Sequence, residues 1–152
     1  HVREITSGPI ILGGPGFSLL PEEILEYVGA DYGVVGEGEE KICYLIDRLE
    51  KKLPVDRIIR KNNFLSGIQF GRPCLEDEYV NFYVSESGLA NLQTKRGCPY
   101  NCAYCSYPFL EGKKIRARPV EAVVSDLERM VRDYKITHVF FTDSVFNDHE
   151  GH

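Results

Sequence analysis

Three cysteines within eight residues, Cys98, Cys102 and Cys105 in the spacing C-x3-C-x2-C, constrain this chain more than any other feature. They follow directly on a strand-like run, in the segment Lys95-Arg96-Gly97-Cys98-Pro99-Tyr100-Asn101-Cys102-Ala103-Tyr104-Cys105. A thiolate binds metal only once deprotonated, and three held so close make a compact, soft, anionic pocket suited to an iron–sulfur cluster or to zinc. Structural zinc is normally closed by four ligands, whereas a four-iron cluster held by three cysteines leaves one iron free for a small molecule. A zinc knuckle would have to borrow its fourth ligand from Cys74 or a histidine. Disulfides are the weaker alternative, because five cysteines cannot all pair and nothing else in the chain points to an oxidising compartment.

The remaining composition is that of a globular domain: 152 residues, 43% hydrophobic and 27% charged. No run approaches the ~20 apolar residues of a membrane span, and no basic-then-apolar signal peptide opens the chain, so a cytoplasmic setting is expected. A net charge of −5 argues against a nucleic-acid binder. There is no initiator Met, and strand-like stretches lie close to both ends, which reads as an internal piece of a longer protein.

In chain order, Pro9-Ile10-Ile11-Leu12 reads as a buried strand that runs into the glycine turn Gly13-Gly14-Pro15-Gly16. Pro21-Glu22-Glu23 opens a helix, with proline at its first position and acids where they suit the helix dipole. A second strand, Tyr32-Gly33-Val34-Val35, meets Gly36-Glu37-Gly38-Glu39. The next helix spaces Ile42, Leu45, Ile46, Leu49 and Leu53 at helical period, with Cys43 read as a small core residue. Val55 to Arg60 adds a short strand. Two strand–helix units in succession, each strand ending in glycines, indicate an open parallel sheet whose ligands gather beyond the carboxyl ends of its strands.

Residues 61–88 are aperiodic and rich in turn formers, and read as a linker packed on its neighbours. Leu89 to Thr94 is the strand that delivers the cysteine loop. Pro119 starts a helix whose stripe is Val120, Val123, Val124, Leu127 and Val131, with Met130 beside it, and Ile136 to Phe141 is the following strand.

The cysteine segment resembles the radical S-adenosylmethionine (SAM) superfamily, whose signature is C-x3-C-x-aromatic-C; the aromatic here is Tyr104. The longer order of glycine-ended strands, helices, linker and cysteine loop is similar to the cobalamin-binding members of that superfamily. The resemblance implies an α/β architecture: the last βα units of a flavodoxin-like cobalamin domain (1–60), an inter-domain linker (61–88) and the first βαβ of a radical SAM partial TIM barrel (89–152). It implies a [4Fe-4S] cluster on Cys98, Cys102 and Cys105, with SAM bound through its amino and carboxylate groups at the free iron. Tyr104 would flank the adenine, and Asp143 and Ser144 would contact SAM; the alternative for Asp143 is a helix-cap role. Gly13 and Gly14 would line the slot for the cobalamin nucleotide tail, with Gly36 and Glu37 at its rim.

One electron would then cleave a carbon–sulfur bond of SAM to a 5′-deoxyadenosyl radical, supplied by a donor such as a flavodoxin or ferredoxin. The outcome would be methyl transfer or cyclisation on a small-molecule substrate. The family's Asp-x-His-x-x-Gly cobalamin loop is absent, and Asp148-His149-Glu150-Gly151 does not match its spacing. Two rivals remain: a methylthiotransferase-like radical SAM enzyme, because Arg116-Ala117-Arg118-Pro119 also fits that class, and a non-catalytic zinc-binding module. Lys113, Lys114, Arg116 and Arg118 form either a solvated turn or a contact to the SAM carboxylate or an anionic part of the substrate.

Overall fold

The computed structural model describes residues 2–60, 64–74 and 76–147. The chain divides into two compact units, one ending at Phe64 and the other beginning at Leu65. Both are mixed α/β and both are built on parallel strands.

The first unit opens with a short helix α1 (Val2–Ile5) and is built on a three-stranded parallel sheet. Its strands are β1 (Ile11–Leu12), β2 (Tyr32–Val34) and β3 (Ile58–Ile59), in that order. Side chains alternate across a strand, so neighbours serve different cores. Ile10 and Leu12 pack with Phe17, Leu25 and Ala30 from helices α2 (Gly14–Leu19) and α3 (Pro21–Val28) and the turn after α3. Ile11 packs instead with Val34, Ile59 and the fully buried Leu45 of α4 (Glu39–Glu50). Helices thus cover both faces of the sheet.

Three expectations change here. Gly14-Pro15-Gly16 does not remain a turn but forms the first turn of α2, which begins at Gly14 with φ +87° and carries proline at its start. Cys43 is exposed, because α4 turns Leu45 inward and leaves Cys43 and Ile46 on its outer side. Leu53 lies beyond the end of α4 and is likewise exposed.

The amino-terminal end of this unit is tied by Asp31, whose carboxylate accepts the Ile10 amide at 2.7 Å and the Arg3 guanidinium at 2.6 Å. The Ile10 N–H first, and Arg3 second, hold the Asp31 carboxyl below its usual range.

In the second unit, β4 (Leu89–Leu92) pairs in parallel with β7 (His138–Phe141), Leu89 opposite His138 and Leu92 opposite Phe141. Helix α7 (Val120–Tyr134) and helix α5 (Asp77–Ser87) bury Leu92, Met130, Tyr134 and Ile136 together with Val80 and Val84. The inward stripe of α7 keeps only part of the expected register: Val123 and Leu127 pack against this core, while Val124 and Val131 are exposed. Met130 is 1% exposed, whereas Val120 is 70% exposed. Sequence periodicity favoured the valines because Asp126 sits on the inward face, and a buried aspartate is tolerated there only because it is paired. Its partners are Arg118, close against Oδ2, and Arg72 at 2.8 Å.

From Leu65 on, the stretch read as a linker folds with the second unit. Its 3-10 helix, Gly67–Gln69, lies so close to the chain at Ala117 that a Cβ on Gly67 would stand 1.6 Å from the Ala117 carbonyl oxygen. The Phe70 ring lies near two guanidiniums, its centre 4.4 Å from that of Arg96 and 5.3 Å from that of Arg116. Helix α5 docks through Asp77, whose carboxylate accepts the Tyr134 hydroxyl at 2.7 Å. That bond, before burial, raises the Tyr134 pKa. Among the described residues, no helix is long and apolar enough to cross a membrane.

Candidate functional site

Parallel pairing brings the carboxyl ends of β4 and β7 side by side, and the ladder runs one step further as the Thr142 amide donates to the Leu92 carbonyl. The chain leaving β4 forms a two-residue strand β5 (Lys95–Arg96). After a 19-residue excursion it returns as β6 (Arg116–Ala117), antiparallel to β5 with Arg96 opposite Arg116. This small ribbon was not expected from the sequence. It forms the neck of the loop that holds all three cysteines.

Within the loop the backbone is held closely. Gly97 has φ +98°, and a Cβ there would stand 2.2 Å from the Lys114 carbonyl oxygen, so only glycine fits before the first cysteine. Its amide donates to the Glu111 carboxylate at 3.0 Å, and the Cys98 amide donates to the Gly112 carbonyl at 3.0 Å. The Cys105 amide donates to the Cys102 carbonyl, closing a turn before the short helix α6 (Tyr107–Leu110). Cys98 is buried, Cys105 half-buried and Cys102 exposed, and none of the five cysteines is in a disulfide. Tyr104, between the second and third, is 93% exposed.

The three thiols do not converge: among the described residues, no three histidine, cysteine or carboxylate side chains are gathered as a metal site. The compact pocket expected from the spacing is therefore a matter of sequence proximity in one loop. Thiols acquire ligand geometry with the metal they bind, since a preformed thiolate trio would be self-repelling. The donor set itself, three sulfurs in a single backbone-pinned loop with no fourth cysteine in it, fits a three-thiolate cluster.

The β7 exit meets the same loop. Asp143 accepts the Thr94 amide at 2.7 Å, the Lys95 amide at 3.1 Å and the Thr94 hydroxyl at 2.5 Å. The Ser144 hydroxyl donates to the Gly97 carbonyl at 3.1 Å. Asp143 and Ser144 are thus brought to the cysteine loop, through its supporting backbone. The basic group divides. Lys113 and Lys114 are exposed. Arg116 instead donates to the Leu65 and Glu111 carbonyls, and Arg118 to the Gln93 carbonyl and Asp126. Both arginines are built into the framework.

In the first unit, Gly13 and Gly14 after β1, and Gly36 and Gly38 after β2, line one cavity of about 370 Å³ walled by Ile11 and Ile42. Glu37 is half-buried beside it and does not line it. Ser18, 2% exposed, joins the two glycine turns: its hydroxyl donates to the Gly14 carbonyl at 2.8 Å and accepts the Gly36 amide at 2.9 Å. Lys41, also buried, donates to the Val35 carbonyl at 2.7 Å. Sequence reasoning missed Ser18 and the buried Lys95. The only signal for Ser18 was its position four residues after Gly14 on a helix. The Asp148–Gly151 stretch lies outside the described residues.

No family model matches the chain. The tryptophan 2-C-methyltransferase of Streptomyces laurentii is 25% identical, over 97% of this chain and 35% of the relative. A ribosomal protein uS12 methylthiotransferase of Prochlorococcus marinus is 29% identical over 81% of this chain and 25% of the relative. The hopanoid C-2 methylase of Rhodopseudomonas palustris is 29% identical over 91% and 25%. Among solved structures, the radical SAM methyltransferase TsrM of Kitasatospora setae, with tryptophan and a SAM analogue bound, superposes with a TM-score of 0.76 at 26% identity. It covers 96% of this chain and 32% of TsrM. A second TsrM structure, holding cobalamin and a [4Fe-4S] cluster, gives 0.73. The chain spans a quarter to a third of the length of these relatives. Along nearly its whole length it is similar to the tryptophan 2-C-methyltransferase and to the radical SAM methyltransferase TsrM.

Proposed function

We propose that this chain carries the junction between a flavodoxin-like cobalamin domain (1–60) and the opening of a radical SAM partial barrel (89–152), joined through 61–88, in a SAM-dependent methyltransferase. The observation that carries the reading is a C-x3-C-x2-C loop at the carboxyl end of a parallel strand pair, in a chain similar to TsrM over 96% of its length. Chemistry in parallel α/β barrels gathers at that end. Held by Cys98, Cys102 and Cys105, a [4Fe-4S] cluster would supply the single electron for reductive cleavage of a carbon–sulfur bond of SAM, and a corrinoid would serve as methyl carrier.

The chain's own residues supply position. Cys98, Cys102 and Cys105 are the thiolate ligands, with Cys98 fixed from behind by Gly112. Tyr104 is the residue assigned to flank the adenine, and its exposure on the loop surface leaves it open to a ligand. Lys113 and Lys114 are the cations left to meet an anionic group, since Arg116 and Arg118 already serve the framework. Gly13, Gly14 and Gly36 present bare backbone to the cavity in the first unit, as a slot for a nucleotide tail requires, and Glu37 stands at its rim. The electron comes from an external donor such as a flavodoxin or ferredoxin. The substrate is a small molecule.

A second reading, a methylthiotransferase-like enzyme, is favoured by the uS12 methylthiotransferase relative and by Arg116-Ala117-Arg118-Pro119. The full-length protein, purified anaerobically with added corrinoid, separates the two. Retention of a visible corrinoid band supports the methyltransferase, whereas no corrinoid and a second cluster held by cysteines upstream of this chain supports the rival.

A further inference from the structure

We infer that the turn from Asp143 to Phe146 is a latch on the cysteine loop, and that Asp143, Lys95 and Ser144 are positioning residues for the cluster rather than contacts to SAM. The inference rests on the cluster proposed above, and concerns what holds it in place.

Beyond the backbone bond from Thr142 to Leu92, five hydrogen bonds that involve side chains join the two strand exits among the described residues. Three end on Asp143, from the Thr94 amide, the Thr94 hydroxyl and the Lys95 amide. A carboxylate offers about four acceptor positions, so little of Asp143 remains for a ligand. The fourth bond runs from the Ser144 hydroxyl to the Gly97 carbonyl.

The fifth uses Lys95, whose side chain is almost wholly buried at 1% exposure. Its ammonium donates to the Phe146 carbonyl at 2.5 Å and lies 6.0 Å from the centre of the Phe146 ring. That ring stacks on Phe141 at 4.6 Å, which anchors the turn to the end of β7. A buried ammonium is stable only when its protons are taken up, so Lys95 and the turn depend on each other.

Gly97 receives the result. Its carbonyl is taken by Ser144, its amide by Glu111, and the space where a Cβ would stand by the Lys114 carbonyl. The residue before Cys98 is therefore set by the β7 turn on one side and the returning limb of the loop on the other. A cluster ligand must be held within about half an ångström of its productive place, and a supporting layer of this kind does that.

The full-length protein, reconstituted anaerobically with iron and sulfide, tests the latch by the rate at which an iron chelator strips the cluster and by the SAM dissociation constant of the loaded fraction. Asp143→Ala is expected to lose iron about tenfold faster than wild type, the effect of removing a few buried hydrogen bonds, and Asp143→Asn to fall between. SAM affinity per loaded cluster should change less than about threefold, within what a non-contact residue imposes. In the metal-free protein the Gly97 and Cys98 amides should exchange faster in Asp143→Ala while those of α7 keep their protection. If Asp143→Ala does not fold, Thr94→Val and Ser144→Ala each remove a single bond and should still hasten iron loss. Iron release at the wild-type rate in the folded variants overturns the latch, as does about tenfold weaker SAM binding by the loaded fraction. Wild-type protein that takes up no iron overturns the cluster reading, and the latch with it.

Discussion

The two units build their sites from different materials. In the first, the cavity after β1 and β2 is made by backbone: Gly13, Gly14, Gly36 and Gly38 line it, and one buried hydroxyl, Ser18, holds the turns together. In the second, the site consists of three side chains on a loop, and only the loop's backbone is pinned. A backbone site exists as soon as the chain folds, because its shape is the fold. A thiolate site is finished by its metal, so the thiols of Cys98, Cys102 and Cys105 stand at different depths while the loop that carries them is already fixed.

This contrast predicts that substitutions in the second unit's site cost function without stability, and that those in the first cost stability before function. The largest effect is expected for Cys102→Ser. The side chain is exposed, so the unfolding free energy of the metal-free protein should stay within about 0.5 kcal/mol of wild type, while cluster iron falls to background. Iron uptake equal to wild type would break the comparison.

Gly33→Ala should do the reverse. A Cβ there would lie 2.0 Å from the Phe17 ring, which is packed in the core, so denaturant unfolding should register a loss of about 1–3 kcal/mol with iron content per folded protein unchanged. Ser18→Ala leaves the Gly36 amide without its acceptor, for a cost of about 1–2 kcal/mol, and exchange of that amide should quicken.

The smallest effect is a difference in pH response. The folded Asp31 pKa is depressed, so its stabilisation is present above the unfolded value near 3.9 and is lost as pH falls through the lower folded pKa. Tyr134 has a raised folded pKa, so its contribution is complete below about pH 10 and is lost as pH rises through the higher folded value. Asp31→Asn should flatten the acid limb of a stability–pH curve and Tyr134→Phe the alkaline limb.

Much of this organisation is written in residue order. The parallel strands, the glycines at their ends, Pro21 at the start of α3 and the cysteine spacing all follow from local rules that a sequence displays. What the sequence hid is long-range and polar. Asp126 sits on the inward face of α7 only because Arg118 and Arg72 meet it. Arg116 and Arg118 look like free cations until their carbonyl partners are known. Phe70 and Gly67 lie in a stretch without period, and their packing against Arg96 and Ala117 is visible only in space. Asp143 was legible as a residue of the site, but its hydrogen bonds to Thr94 and Lys95 span about fifty positions, beyond any local pattern.

Metal content after anaerobic reconstitution of the full-length protein, followed by the change in its absorption spectrum on adding SAM, tests the central claim most directly. The account predicts about four irons and four sulfides at the site of Cys98, Cys102 and Cys105, with a spectrum that SAM perturbs. One tightly bound zinc at these cysteines, with no response to SAM, would contradict it.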